Sequence, residues 1–259
     1  MGAPGLNFNY PIGEAAVTTE GRRILNNSLE WAKRKELTIV NGDTDSISFT
    51  NGKEINLSEC LKELNDISGQ GISWEDDGYY SKVIVVKSKN YVLQTDEKVK
   101  IKGSGLKATT KEKALQKYIK EVIDLLLADK KELLLQHYEM YVDLICQLTD
   151  ITDWCSKKTI TKSVLAAEAT TQARILEAVE DNEVLQEGDK VYVFFESLEK
   201  LTQVSDFKGT YSRKKLFDKL YKTIKIFDTI LDVKQFPNYS LIKNQKKLLE
   251  QNKIFEIEK

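Results

Sequence analysis

The stretch Thr38 to Lys53, TIVNGDTDSISFTNGK, sets two aspartates one residue apart between two short β-prone runs. Few features constrain a chain more. Apolar and β-branched residues on both sides of an Asn-Gly-Asp-Thr-Asp tip read as a hairpin with the acids at its turn. Two carboxylates held together repel, and each raises the other's pKa unless water or a cation sits with them. The tip therefore faces solvent or holds a cation. In extended backbone residues i and i+2 share a face, so Asp43 and Asp45 can project together. Gly42 permits a close backbone approach, and Thr44 and Ser46 can hydrogen-bond locally to hold the turn. A hard cation such as Mg²⁺ takes one or two carboxylates plus waters and substrate phosphates. The further acid, the glycine and the closing Glu of an EF-hand loop are missing at their spacings. By itself the tip reads first as an ordinary Asx-rich turn, and a metal site needs more than the turn.

Around the hairpin, residues 12 to 34 follow the helical period through Ile12, Ala15, Ala16, Thr19, Arg23, Leu25 and Leu29, and end in Lys and Arg. A short helix opens near Asn56 or Ser58 and stops at Gly69. YYSKVIVVKSKNYVLQTD reads as two strands with a lysine-bearing turn. KGSGLKATT is a connector, with Ser104 and Gly105 as hinge rather than phosphate loop. Helices are expected at about 111–128, 130–147, 161–181, 213–231 and 239–251, with one strand at DKVYVFFES. The composition shifts near residue 103. The expected fold class is α+β: residues 1–103 form a small mixed unit, and 104–259 a mainly helical, lysine-rich one.

At 259 residues the chain can bury a sizeable core. No apolar run approaches the roughly 18 residues of a membrane helix, and the N-terminus has no signal-peptide pattern. Leu6 leaves the Ser/Thr position of a myristoylation motif unfilled. Three cysteines without metal-ligand spacing suit a reducing compartment, so a cytoplasmic location, the host's if the source is viral, is expected. Net charge is −1, but lysines crowd Lys98 to Lys120 against the single acid Glu112, and Phe207 to Phe227 is also basic. Such segregation fits phosphate binding, or simply a solvated lysine face. His137 reads as a packing residue, and Trp31, Trp74 and Trp154 as core.

The tip and its flanks together resemble family B DNA polymerases of the phage replicative type. GDTDSI, Gly42 to Ile47, is similar to the family's third polymerase motif, an Asp-Thr-Asp turn on a palm hairpin. In the family's order, AAVTTEGRRIL resembles the preceding palm helix, and KSKNYV resembles the Lys-Lys-Arg-Tyr element. KIKGSGLKATT resembles the palm-to-thumb boundary, and VLQEGDKVYVFFES a thumb strand region. PNYSLIKNQKKLLEQNKIFEIEK resembles the C-terminal thumb helix only loosely. Ser88 and Asn90 stand where the family has lysine and arginine.

The resemblance implies a partial polymerase palm followed by a thumb, and a two-metal nucleotidyl transfer to primer-template DNA from a dNTP. It makes Asp45 a direct Mg²⁺ ligand and Asp43 its neighbour at the ions, with both ions shared with a partner chain. Glu75 matches an auxiliary palm carboxylate. Lys89 and Tyr91 would touch the minor groove, which tests pairing rather than sequence. Lys100, Lys102, Lys107, Lys111 and Lys113 would grip duplex phosphates. The family's first motif, an aspartate beside SLYPS-like residues, and its second, a Lys-x₃-Asn-Ser-x-Tyr-Gly helix, are absent from this sequence. Met1 falls where the family is in mid-palm. The expectation is a chain inactive alone, the small subunit of a split polymerase or a piece of a longer enzyme. It would complement a larger subunit through the Ala15, Ala16 and Leu25 face of the first helix, with a sliding clamp as a further partner. A non-catalytic DNA-binding or processivity module is the alternative, and a plain helical interaction protein with a fortuitous Asp-Thr-Asp turn a third.

Overall fold

The structure, a computed structural model, describes residues 11–50, 55–69, 71–166, 170–179 and 185–242. The fold is mixed α/β, compatible with the expected α+β class. The chain divides into two compact units, Met1–Lys100 and Ile101–Lys259.

The first unit opens with α1 (Pro11–Arg34), followed by the β1 (Thr38–Asp43) and β2 (Ser46–Thr50) hairpin and α2 (Leu57–Ser68). Helix α2 starts where the Asn56 side chain accepts from the Glu59 amide and stops at Gly69, whose φ of 81° suits glycine. Then come β3 (Lys82–Lys87), β4 (Asn90–Gln94) and, running over the boundary at Lys100, β5 (Val99–Lys102), a three-stranded sheet in that order, with β3 and β4 antiparallel. The core is Trp31, Ala32, Cys60 and Leu64, with Ile39, Ile47 and Phe49 of the first hairpin packed against it. Trp31 donates its indole N–H to Glu63 Oε2 at 2.6 Å, which satisfies the one polar atom of a buried ring.

Within this unit α1 buries only part of its length. Ile24, Ser28, Trp31 and Ala32 are buried, with Leu25 and Leu29 half-buried. Ile12, Ala15, Ala16 and Thr19 are exposed. The hairpin and α2 cover only the C-terminal half of the helix, so periodicity in its first half finds no partner within this unit.

The second unit begins with α3 (Ser104–Lys107) and α4 (Lys113–Leu127), then a 3₁₀ turn and α5 (Leu134–Cys146). After β6 (Ser156–Thr159) come α6 (Lys162–Leu165), α7 (Thr170–Glu177), β7 (Lys190–Phe195), β8 (Leu201–Gln203) and α8 (Arg213–Ile224). Helix α4 buries Leu115, Tyr118, Ile119, Val122, Ile123 and Leu126, an i, i+3, i+4 stripe, and both α4 and α5 pack on α8. The sheet is antiparallel in the order β6-β7-β8, over a core containing Ile160, Val164, Ile175 and Val193.

Three strands differ from the sequence expectation. β5, β6 and β8 were not legible: β6 is Ser-Lys-Lys-Thr and β8 has three residues, too short and polar to show alternation. Within the helix expected over 161–181 the described residues form two helices, α6 ending at Leu165 and α7 starting at Thr170, while 167–169 and 180–181 lie outside the described residues. The helix expected over 213–231 ends at Ile224 and passes into a 3₁₀ turn at Lys225–Phe227. Of the helix expected at 239–251, residues beyond 242 lie outside the described residues, as does the segment before Pro11.

Candidate metal turn and basic groove

The hairpin tip is built as the sequence suggests. Asp43 closes β1 opposite Ser46, leaving Thr44 and Asp45 as the turn. Thr44 takes a φ of 43°, uncommon for a residue with a β-branched side chain. The Asp45 amide donates to the Asp43 carbonyl, and the Ser46 hydroxyl lies 3.3 Å from the same oxygen. Gly42 serves a close approach rather than a special φ. A Cβ there would stand 3.3 Å from Leu29 Cδ2, so the glycine lets β1 lie down on α1.

The two acids have different surroundings. Asp43 Oδ1 accepts from the Thr44 hydroxyl at 3.0 Å and stands 3.4 Å from Lys89 Nζ. Its side chain is 22% exposed. Asp45 is exposed, and its carboxylate has no hydrogen-bond or ion-pair partner among the described residues. The contrast follows from the turn: one acid ends a strand and leans on its neighbours, while the other sits at the outermost position.

Lys89 and Tyr91 come from the neighbouring β3–β4 hairpin. Lys89 sits at its tip with a φ of 62° and reaches the Thr44 hydroxyl at 3.2 Å. Tyr91 pairs with Val85 across the sheet and is half-buried. Burial pushes its phenol pKa up, and the carboxylates of Asp43, Asp45 and Asp77 push it further. Tyr91 therefore stays a neutral hydroxyl beside acids at neutral pH. Four residues named from sequence, Asp43, Asp45, Lys89 and Tyr91, thus meet at two hairpins.

Glu75 lies in an exposed segment without regular structure. Among the described residues no group of three or more His, Cys, Asp and Glu is placed to hold a metal ion. Asp77 is the acid of that segment whose charge reaches Tyr91, and it also accepts from the Tyr80 hydroxyl at 2.7 Å. Sequence reasoning missed Asp77 and Tyr80. The only signal was the acidic run Glu75-Asp76-Asp77, which does not say which member's charge reaches Tyr91.

A Mg²⁺ ion can be tested against this donor set. Two hard carboxylates stand one residue apart, one of them unpaired, and an ammonium already rests on the other as a stand-in cation. Such a pair suits an ion that completes its shell with water and phosphate oxygens. The residues fit, as a partial set.

The lysines named from sequence separate into groups. Lys100 donates to the Tyr80 hydroxyl at 3.1 Å and lies 5.3 Å from its ring centroid. Lys102 is exposed at the end of β5, and Lys111 is half-buried beside the start of α4. Lys107 and Lys113 line a groove of about 530 Å³ in the second unit, with Ile101 and Leu106 beneath. Lys117 and Lys120 complete that groove one and two turns along α4. Glu112, the one acid of the basic stretch, is turned away into the core, where it meets Lys219 and Ser156. Its removal from the surface leaves the outer face of α4 more basic than composition suggests. His137 packs as expected, stacked on Tyr118 at 5.3 Å, with Nε2 3.0 Å from Glu121.

No protein-family profile matches the sequence, and no curated protein does. Among solved structures the chain is similar to the family B DNA polymerase from the hyperthermophilic archaeon Pyrobaculum calidifontis. The TM-score is 0.66 at 17% identity, over 88% of this chain and 31% of that one. The likeness shows a polymerase-like fold, and the chain spans under a third of that polymerase's length.

Proposed function

We propose that this chain supplies the metal-binding turn and the duplex-gripping surface of a DNA-directed DNA polymerase of the family B kind. Residues 1–103 are the C-terminal part of a palm, and residues 104–259 a thumb. The observation that carries the reading is the meeting of Asp43, Asp45, Lys89 and Tyr91 at two adjacent hairpins, in the roles the motif resemblance implies. Asp45, exposed and unpaired, is the direct ligand, and Asp43 supports it. Divalent ions held there would lower the pKa of the primer 3′-hydroxyl and neutralise the triphosphate. Tyr91, kept neutral, can donate to a minor-groove acceptor, which every correct base pair presents. Lys107, Lys113, Lys117 and Lys120 form a stripe that meets backbone phosphates without reading bases.

Two carboxylates make half of a two-metal clamp. The opposing ligands and the residues that hold the incoming triphosphate come from a larger subunit or from the rest of a longer enzyme. Primer extension tests this. The chain mixed with such a partner should extend a primer, the chain alone should not, and Asp45→Ala should abolish extension while primer-template binding persists. Full activity of the mixture with Asp45→Ala would instead favour a non-catalytic DNA-binding or processivity module, which the basic groove would serve equally well.

A further inference from the structure

The tips of two hairpins touch through two residues that both hold left-handed backbone without being glycine, Thr44 and Lys89. Non-glycine residues take that conformation uncommonly, and neither turn needs the other for its own strand register. At the contact, Lys89 Nζ stands 3.2 Å from Thr44 Oγ1 and 3.4 Å from Asp43 Oδ1. Thr44 Oγ1 donates to that same carboxylate oxygen. The lysine side chain is 67% exposed, so the ammonium enters from the solvent side over a carboxylate that is itself mostly sunk. It covers one acid of the pair and leaves Asp45 open.

An ammonium in that position does two things. It partly neutralises Asp43, which lets the two aspartates stay close in the absence of any other cation. It also repels a divalent ion approaching the same oxygens. A lysine stem has four rotatable carbons and is anchored here only at an exposed turn, so the ammonium can leave without disturbing either strand.

We propose that Lys89 is a tethered cation that occupies Asp43 in the free chain and competes with a divalent ion for the two-aspartate turn. The inference rests on the cation reading of that turn given above. Binding of the ion releases Lys89, and the released ammonium is then available to an anionic or acceptor group on a nucleic acid. Coupling of this kind is reciprocal: whatever draws Lys89 away from Asp43 strengthens divalent binding by the same factor.

The test is a Mn²⁺ titration of the full chain at low ionic strength, read by water-proton relaxation. It compares the wild type with Lys89→Gln, Lys89→Arg and Asp45→Asn. Asp45→Asn identifies the site, since binding at the turn is weakened by it. Lys89→Gln keeps a polar side chain, one atom shorter, but removes the charge. It should tighten Mn²⁺ binding about threefold, the size an exposed ion pair supplies. Lys89→Arg keeps the charge and should bind as the wild type does. The gain in Lys89→Gln should shrink as NaCl is raised, because exposed charges are screened. Equal affinities of wild type and Lys89→Gln at low salt, with binding still weakened in Asp45→Asn, would overturn the competition and leave the cation reading standing. If no variant shows Mn²⁺ binding sensitive to Asp45, the cation reading fails and the proposal falls with it.

Discussion

Lys219 of α8 donates to the carboxylate of Glu112, 107 residues earlier in the chain, and Ser156 of β6 donates to the same oxygen at 2.5 Å. One buried acid at the mouth of α4 thus ties α8 and β6 to it. Burial opposes ionisation of Glu112, but the Lys219 charge and the two hydrogen bonds outweigh it and hold the carboxyl below its usual range. Glu112→Ala should destabilise the chain by about 3 kcal/mol, because it strands Lys219 in a largely buried place. The folded-state pKa is depressed, so this stabilisation is present above the ordinary carboxylate range and is lost as pH falls through the depressed value. Urea melts of wild type and variant from neutral to acid pH should converge at the acid end. A constant difference between them would remove the ion pair as the cause.

Tyr118 and Tyr141 are both buried, yet only one has a bond to lose. The Tyr118 hydroxyl has no hydrogen-bond partner among the described residues, whereas Tyr141 donates to Glu121 at 2.7 Å. Tyr118→Phe should be neutral or stabilising by up to about 1 kcal/mol, since an unmade hydrogen bond disappears. Tyr141→Phe should cost about 1 kcal/mol by the same accounting. Thermal denaturation of the two variants decides it, and the opposite ranking would contradict the packing described.

Gly42 leaves room for Leu29 and no more. Gly42→Ala should cost less than about 1 kcal/mol, because the atom met at 3.3 Å is a side-chain methyl that can shift. Gly42→Val should cost more, and Leu29→Ala should recover part of that loss. A double-mutant cycle in urea measures the coupling. Strict additivity would show that the hairpin does not rest on α1 here.

Burial raises the Tyr91 phenol pKa, and the charges of Asp43, Asp45 and Asp77 raise it further. Asp45→Asn should therefore lower the Tyr91 pKa, as the charge that penalises the phenolate is gone. An alkaline NMR titration of the Tyr91 ring protons reads this in the chain alone. No change would place Asp45 too far from Tyr91 for the proposed site.

The groove on α4 makes a prediction about salt. If Lys113 and Lys120 each neutralise a phosphate, Lys113→Ala/Lys120→Ala should weaken binding to duplex DNA of any sequence alike. It should also flatten the plot of log K against log salt by about 0.9 for each phosphate left without its lysine. An unchanged slope would leave the groove an ordinary solvated lysine face.

Much of this architecture was legible because it is local. The hairpin announced itself by β-prone runs around an acidic turn, and α2 by Asn56 and Gly69, whose roles depend on a few adjacent residues. Helix α1 was legible as a helix, and Trp31 as core, but the burial of Ile24, Ser28 and Ala32 within the chain was not. Periodicity reports that a face is apolar, and what covers it comes from elsewhere in the chain. The same limit hid β6 and β8, which are strands only because β7 lies between them and satisfies their backbone groups. The lysines up to Lys120 were legible as a basic run, but that Lys107, Lys113, Lys117 and Lys120 line one groove was not, since the groove is a shape and not a spacing.

The candidate site divides the same way. The sequence by itself determined that two acids share one turn, that a lysine and a tyrosine follow on a second hairpin, and that these stand in the order of a known motif set. Only the tertiary structure decided that Lys89 rests on Asp43 and leaves Asp45 bare, that Asp77 rather than Glu75 reaches Tyr91, and that Glu112 leaves the basic surface for the core. The reason is physical. Turns and helices follow from backbone preferences within a few residues, but an ion pair between Asp43 and Lys89 exists only where packing brings their hairpins together.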